Sequence, residues 1–369
     1  MTIFFRVDAS CLIGSGHVVR CLTLADGLSA QGFECVFVCR SHEGNMIGLI
    51  QAKGYGVRVL PSIGGVKGST GSIYAQWLGV DQDTDAQQTL DLVCVDSVQA
   101  LIVDHYGLDH VWQSHFRKLT ELIVVIDDLA NRTHDCDVLL DQNWYGARTL
   151  TRYDDLLLTP CVKLLGPDFA LLKPEYALLR GLLPSRDGLI RRVLVFMGGV
   201  DSHNQTLKVL EALDEGCFLH WIVDVVIGQA HPNSQSIRER VKNRANTSLY
   251  ESQPSLAGFM ARADVMVGAG GTTSWERLCV GLPCVVLSVA ENQLELSRAL
   301  DSEGFVVHLG AFEQVSGSDI QDALLKMAND PKRLKILSAQ MRQMVDGLGV
   351  NRVSERITQE IRSRAIELA

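Results

Sequence analysis

Residues 7–24 read Val7-Asp8-Ala9-Ser10-Cys11-Leu12-Ile13-Gly14-Ser15-Gly16-His17-Val18-Val19-Arg20-Cys21-Leu22-Thr23-Leu24. The apolar run Ile3 to Val7 just before them reads as a buried strand. After Gly16 the apolar residues Val18, Cys21, Leu22, Ala25 and Leu28 recur at helical spacing. Between strand and helix sits Gly14-Ser15-Gly16-His17. Such a turn leaves unpaired backbone N–H groups at the helix N-terminus, and the helix dipole favours an anion there. His17 falls in the first helical turn, so the place suits a phosphate with a titratable group beside it. A plain strand–glycine–helix turn with a solvated histidine fits the same residues. The dinucleotide fingerprint G-x-G-x-x-G fails, because Val19 stands where its third glycine belongs.

The same alternation runs on through the first half. Strands are expected at Glu34 to Cys39, Gly56 to Leu60, Ala100 to Val103 and Leu122 to Ile126. Helices are expected from Gly44 to Lys53 and after Thr84, read as a cap. Pro61 to Ser72 reads as a mobile loop. The rhythm breaks at Leu179 to Leu189, where Gly181, Pro184 and Gly188 fall, and then restarts. Val193 to Phe196, Trp221 to Ile227, Val265 to Val267 and Pro283 to Val289 are strand candidates; about Ser318 to Leu368 is charged and helical. Strands alternating with helices predict parallel sheets covered on both faces. The expected architecture is α/β, two doubly wound Rossmann-like domains, 1–182 and 190–369. Ligands of such sheets bind at the carboxyl ends of the strands. The loops ending in Asp8, Asp104, Asp127, Gly198-Gly199 and Gly268 are therefore expected to open towards a cleft.

Composition narrows the function. A chain of 369 residues suits two domains. With 47% hydrophobic and 21% charged residues it reads as soluble and globular. A net charge of −9 argues against nucleic acid and against an anionic membrane as partners. No apolar run approaches the ~18 residues of a membrane span, and Met1 to Arg6 does not read as a signal peptide. The 10 cysteines contain no C-x-x-C pair and read as buried, reduced thiols of a cytoplasmic protein. Asp81, Asp83 and Asp85 begin like a calcium loop, but Ala86 and Leu92 replace its glycine and glutamate, so they read as an acidic helix start. No metal, no cofactor and a monomer are expected.

A counterpart of the opening stretch is Gly268-Ala269-Gly270-Gly271-Thr272-Thr273-Ser274-Trp275-Glu276. Its glycines allow close backbone approach to a diphosphate, and Thr272, Thr273 and Ser274 can bond phosphate or cap the helix. Glu276, about one turn in, can accept bonds from two ribose hydroxyls, or it can support the cap. Met197-Gly198-Gly199-Val200-Asp201 is either a ligand loop or a tight turn with Asp201 capping the next helix. Asn292-Gln293 opens a helix after a strand, with Asn292 as a cap or as an amide near ligand.

Several pieces together resemble one family: Arg6-Val7-Asp8-Ala9-Ser10, Ile13 to Leu22, Asp104-His105-Tyr106-Gly107-Leu108-Asp109, Asp127-Asp128, Gly166 to Leu172, Met197 to Asp201 and Glu291-Asn292-Gln293. They are similar to the UDP-2,4-diacetamido-2,4,6-trideoxy-β-L-altropyranose hydrolases of bacterial pseudaminic acid biosynthesis, over residues 1 to about 305. The resemblance implies a GT-B fold and metal-free hydrolysis of a UDP-sugar, with water attacking the anomeric carbon with inversion. It implies His17, Tyr106 and Asn292 as catalytic residues. Asp8, Gly14, Gly16, Arg20, Gly198, Gly199, Gly270, Gly271, Thr272, Thr273, Glu276 and Gln293 are then expected to line the substrate. A UDP-sugar-dependent glycosyltransferase, a UDP-sugar 2-epimerase and a non-catalytic sugar-nucleotide-binding protein are the alternatives.

Since no metal-ligand spacing is visible, activity is expected to survive thorough chelation. Loss of turnover in EDTA, restored by one divalent ion, would contradict this reading of the acidic residues.

Overall fold

The computed structural model describes residues 2–62, 74–93, 98–229 and 231–367. The expected loop Pro61 to Ser72 lies largely outside the described residues, as does Cys94. The chain divides into two compact units. The first holds Met1–Asn143, Ala147–Leu171 and Leu348–Ala369; the second holds Trp144–Gly146 and Leu172–Gly347.

The first unit is built on β1 (Thr2–Val7), β2 (Glu34–Arg40), β3 (Gly56–Leu60), β4 (Val98–Asp104), β5 (Ile123–Ile126), β6 (Val138–Asp141) and β7 (Val162–Leu165). They form a seven-stranded sheet in the order β3-β2-β1-β4-β5-β6-β7. Every pairing is parallel. The central strands are apolar almost without a break, Ile3-Phe4-Phe5 and Ala100 to Val103, because helices cover both faces of the sheet. Strand order reverses between β1 and β4, and that reversal opens a crevice at their carboxyl ends.

The second unit repeats the plan with β8 (Arg192–Phe196), β9 (Ile222–Ile227), β10 (Thr247–Glu251), β11 (Val265–Ala269), β12 (Cys284–Ser288) and β13 (Val307–Ala311). The order is β10-β9-β8-β11-β12-β13, again all parallel. The reversal here lies between β8 and β11. The expected pair of doubly wound Rossmann-like domains is present. Four strands escaped the periodicity reading: β6, β7, β10 and β13. Three of them sit at sheet edges, and β10 and β13 carry polar residues and a glycine where a central strand would be apolar.

Two expectations about the chain's division are corrected. The break falls at Leu171–Leu172, so the helix Pro174–Leu182 belongs to the second unit. The last helix, Gly349–Glu367, belongs to the first unit. Its stripe of Val350, Val353, Ile357 and Ile361 is buried in the same core as Leu24, Ala25 and Leu28 of the helix Gly16–Ser29. Gly27 allows this approach: a Cβ there would stand 2.6 Å from Val350 Cγ1. The amphipathic pattern announced a buried face but not the surface that buries it.

Other local readings also shift. Asp81, not Thr84, caps the helix Gln82–Val93, accepting from the Thr84 backbone N–H at 2.8 Å. Asp83 and Asp85 lie in its first turn as an acidic helix start. Cys11 and Cys217 are exposed, not buried, while Cys21, Cys35, Cys39, Cys136, Cys279 and Cys284 are buried. All described cysteines are free thiols. Among the described residues no helix is long and apolar enough to cross a membrane.

Truncating Ile357, fully buried in the first unit, to alanine is expected to cost about 2–5 kcal/mol of that unit's stability. Chemical denaturation read on both units checks this. A loss confined to the transition of the second unit would contradict the placement of the last helix.

Candidate active site

In the first unit the carboxyl ends of β1, β4 and β5 bring together residues far apart in sequence. Gly14, with φ +78°, closes a turn in which its N–H bonds to the Ser10 carbonyl at 2.9 Å. The helix Gly16–Ser29 then starts without a side-chain cap and without an acidic residue in its first turn. His17 is its second residue and is buried. His17 Nδ1 lies 2.6 Å from Asp104 Oδ1. Arg20, one turn on, donates from Nε to Asp104 Oδ2 and from Nη2 to Asp104 Oδ1, both at 2.7 Å. Its Nη1 donates to Asp128 Oδ2 at 2.6 Å, and Tyr106 donates its hydroxyl to the same oxygen at 2.6 Å. Among the described residues, His17 Nε2 makes no hydrogen bond.

Electrostatics follow from this packing. Burial alone would raise the Asp104 carboxyl, but the Arg20 charge and the His17 contact outweigh it and hold the group well below the usual carboxylate range. Burial, then the Asp128 charge, pushes the Tyr106 phenol well up, so it stays protonated. Burial lowers His105 to about 3, so that ring is neutral. Aromatic rings wall this place. The Tyr106 ring meets His17 edge-on with centroids 4.5 Å apart, and Trp77 stacks on Tyr106 at 5.5 Å. Tyr74 stands edge-on to both Trp77 and Tyr106.

Two residues expected to line substrate are engaged within the protein. Arg20 is buried with its guanidinium engaged by two carboxylates. Asp8 is fully buried, paired with Arg6 at 2.7 Å and accepting the Arg40 backbone N–H at 2.6 Å. Arg6 also forks onto Asp85 at 3.0 and 2.7 Å, joined there by Arg40 at 2.6 Å, so that the acidic helix start is an internal anchor. Asp104 ends β4 at the reversal and Asp128 follows β5, the next strand in the sheet; that placement is the signal that could have put them beside His17.

In the second unit the helix Thr273–Val280 begins directly after β11 and Gly270-Gly271. Thr272 at its cap position makes no side-chain cap bond, and Thr272 and Thr273 are half-buried. Ser274 accepts from Arg277 Nη2 at 2.8 Å and so is turned inward. Gly270 lies hard against Gln293 and Ser297: a Cβ there would stand 2.9 Å from Ser297 Oγ and 3.1 Å from Gln293 Cβ. Gln293 accepts the Val289 N–H at 3.1 Å. Asn292 is exposed within the short turn Glu291–Gln293 and does not cap the following helix. Glu276 keeps a partial opening to solvent, yet the protein around its carboxyl pushes it up to about 7, against the hydrogen bond from Tyr176 that favours the charged form.

Gly198, with φ +101°, turns the chain after β8. Asp201 caps the helix Gln205–Ala212, accepting from the Gln205 and Thr206 N–H groups at 2.8 Å each. The tight-turn reading of that loop thus accounts for Asp201. Among the described residues, no group of three or more His, Cys, Asp or Glu is arranged to hold a metal ion.

No family model matches the chain. It is 31% identical over 172 residues to the spore coat polysaccharide biosynthesis protein SpsG of Bacillus subtilis, covering 44% of this chain and 49% of that protein. The chain thus spans about half the length of that relative. It is 23% identical over 307 residues to the UDP-2,4-diacetamido-2,4,6-trideoxy-beta-L-altropyranose hydrolase of Campylobacter jejuni, covering 83% of this chain and 98% of that enzyme. Among solved structures, the calicheamicin glycosyltransferase CalG4 matches with a TM-score of 0.64 and 14% identity, over 98% of each chain. The fold is GT-B. The resemblance to the hydrolase, carried first by short motifs, extends over most of the chain.

The raised Glu276 carboxyl carries a stability signature. Its ordinary value of 4.5 applies to the unfolded chain, and about 7 to the folded one. Its contribution is therefore fully present below 4.5 and is lost as pH rises through about 7. The second unit is expected to melt lower at pH 8 than at pH 5 by a margin that Glu276→Gln removes. An unchanged pH dependence in that variant would show that Glu276 titrates normally.

Proposed function

We propose that the chain resembling that hydrolase is itself a nucleotide-sugar hydrolase. In this reading it releases UDP and 2,4-diacetamido-2,4,6-trideoxy-L-altrose in the cytoplasmic synthesis of pseudaminic acid. One observation carries the proposal: an imidazole at a helix start, bonded through one nitrogen to a buried aspartate, with its other nitrogen unbonded among the described residues. The likeness to the Campylobacter jejuni enzyme, over 83% of this chain, supports the choice of substrate.

The chemistry needs few parts. A nucleoside diphosphate departs as a stable anion, so little acid catalysis is required. Water must be activated near neutral pH, and neutral imidazole is suited to that. His17 takes a proton from water as the oxygen attacks the anomeric carbon, on the face opposite the departing UDP. The bond between that carbon and the bridging oxygen breaks, and inversion follows. The half-buried start of the helix Thr273–Val280, with Gly270 and Gly271, supplies N–H groups and a dipole for the charge that grows on the diphosphate. Glu276 accepts the ribose hydroxyls, and Asn292 and Gln293 offer amides to the sugar side. Tyr106, holding its proton towards Asp128, gives the reacting face an oxygen that accepts.

A glycosyltransferase is the second reading, favoured by the structural likeness to CalG4. It uses the same nucleotide half and replaces water with an acceptor hydroxyl. Incubation with UDP-sugar alone separates the two: a hydrolase releases UDP and a reducing sugar, whereas a transferase without acceptor stays nearly silent.

With His17 as the base, His17→Asn keeps the fold and most of the affinity for UDP-sugar, and the loss falls on kcat. General-base catalysis is worth about 10²–10⁴-fold, or roughly 3–5 kcal/mol of barrier. Steady-state kinetics on folded variant protein checks this. Turnover within about threefold of wild type, far short of a general base's contribution, removes His17 from the role.

A further inference from the structure

We propose that Asp104 and Arg20 are positioning residues that fix the His17 imidazole in the form protonated on Nδ1: Asp104 by accepting its hydrogen bond, Arg20 by holding that carboxylate in place. The kinetic consequence rests on the hydrolase reading. The structural one does not.

The tautomer follows from hydrogen-bond accounting. Asp104 is fully buried at its side chain and held ionised, so it has no proton to give. The 2.6 Å contact between His17 Nδ1 and Asp104 Oδ1 must then be Nδ1–H donating. Arg20 Nη2 lies 3.3 Å from the same Nδ1, and both are donors converging on Asp104 Oδ1. In the neutral ring the lone pair is therefore on Nε2. An asparagine at 104 could instead turn its NH₂ towards Nδ1 and invert the assignment.

Among the described residues, the groups around the ring come from several elements. Arg20 comes from its own helix; Asp104, His105 and Tyr106 come from β4 and the turn after it; Asp128 follows β5; Cys21 donates its thiol to Asp104 at 3.4 Å. Tyr106, Cys21 and His105 are uncharged near neutral pH. Trp77 adds an uncharged ring 6.3 Å away. Arg20 grips both oxygens of Asp104 and so holds Oδ1 towards His17 Nδ1. Without that fork the carboxylate is free to turn, and the ring loses the fixed acceptor for its Nδ1–H. The same guanidinium orients Asp128, to which Tyr106 gives its proton. One side chain thus sets the direction of both the imidazole and the phenol.

The test reads the ring directly. Protein labelled with ¹⁵N-histidine is studied by long-range ¹H–¹⁵N correlation across pH, with a His17→Asn sample to assign the signals. Thermal melts establish that each variant is folded. Wild type is expected to show Nδ1 protonated and Nε2 bare at pH 8. Asp104→Asn is expected to move the proton to Nε2 and to lower kcat by about 10²-fold or more with little change in KM, since a base of the wrong tautomer faces the water. Arg20→Gln, which removes the fork on Asp104, is expected to leave part of the ring protonated on Nε2 and to lower kcat with little change in KM. Arg20→Lys, which keeps the charge but not the planar fork, should not restore the single form. A wild-type ring protonated on Nε2 overturns the proposal. So does a folded Asp104→Asn with the wild-type tautomer, or a folded Arg20→Gln with the wild-type ¹⁵N pattern and kcat. If the wild type releases no UDP from a UDP-sugar yet shows the expected ¹⁵N pattern, the hydrolase reading falls and this assignment stands.

Discussion

A carboxylate taken out of water must find counter-charges and hydrogen bonds within the protein. Asp104, at the end of β4, is the clearest case in this molecule. Its two oxygens receive the His17 ring and both arms of the Arg20 fork. Meeting that demand ties β4 to the first helix at the point where strand order reverses. The imidazole is aimed as a consequence, and the second bond of Arg20 carries the constraint on to Asp128 and Tyr106. The neighbouring Asp8 and Asp85 obey the same rule through Arg6 and Arg40, and they stiffen the floor beneath.

The second unit solves a different problem. Small residues after β11 let the chain run close against Gln293 and Ser297, leaving the start of the next helix half-buried without a side-chain cap. A carboxyl one turn in, raised by burial and bonded by Tyr176, stands ready to change charge near neutrality. Perturbed carboxyls of this kind gather at functional sites. Here the hydrogen-bond partner, Tyr176, comes from the helix Pro174–Leu182, which packs on the helix bearing Glu276 and helps to bury it.

Much of this was legible in the sequence because it rests on local pattern. The glycine turns, the central strands and the helix after Gly16 all follow from period and composition. His17, Tyr106 and Glu276 could be singled out at helix starts and strand ends. What escaped depends on distant partners. No local pattern says that the stripe of Val350, Val353, Ile357 and Ile361 is buried beside Leu24 and Leu28 rather than in the second unit. None says that Arg20 reaches Asp104 and Asp128, residues 84 and 108 positions away, instead of a phosphate. Asp85 read as part of an acidic helix start, and no local pattern says that it is fully buried against Arg6 and Arg40. The edge strands β7, β10 and β13 are short or polar enough to read as loop.

The central claim is that water, activated at His17, attacks the anomeric carbon of a UDP-sugar. Turnover in H₂¹⁸O followed by mass spectrometry of both products tests it most directly. The account predicts one ¹⁸O atom in the released sugar, at its anomeric hydroxyl in the first-formed anomer, and none in UDP. Label in the β-phosphate of UDP would mean that water attacks phosphorus instead, and would contradict the role given to His17.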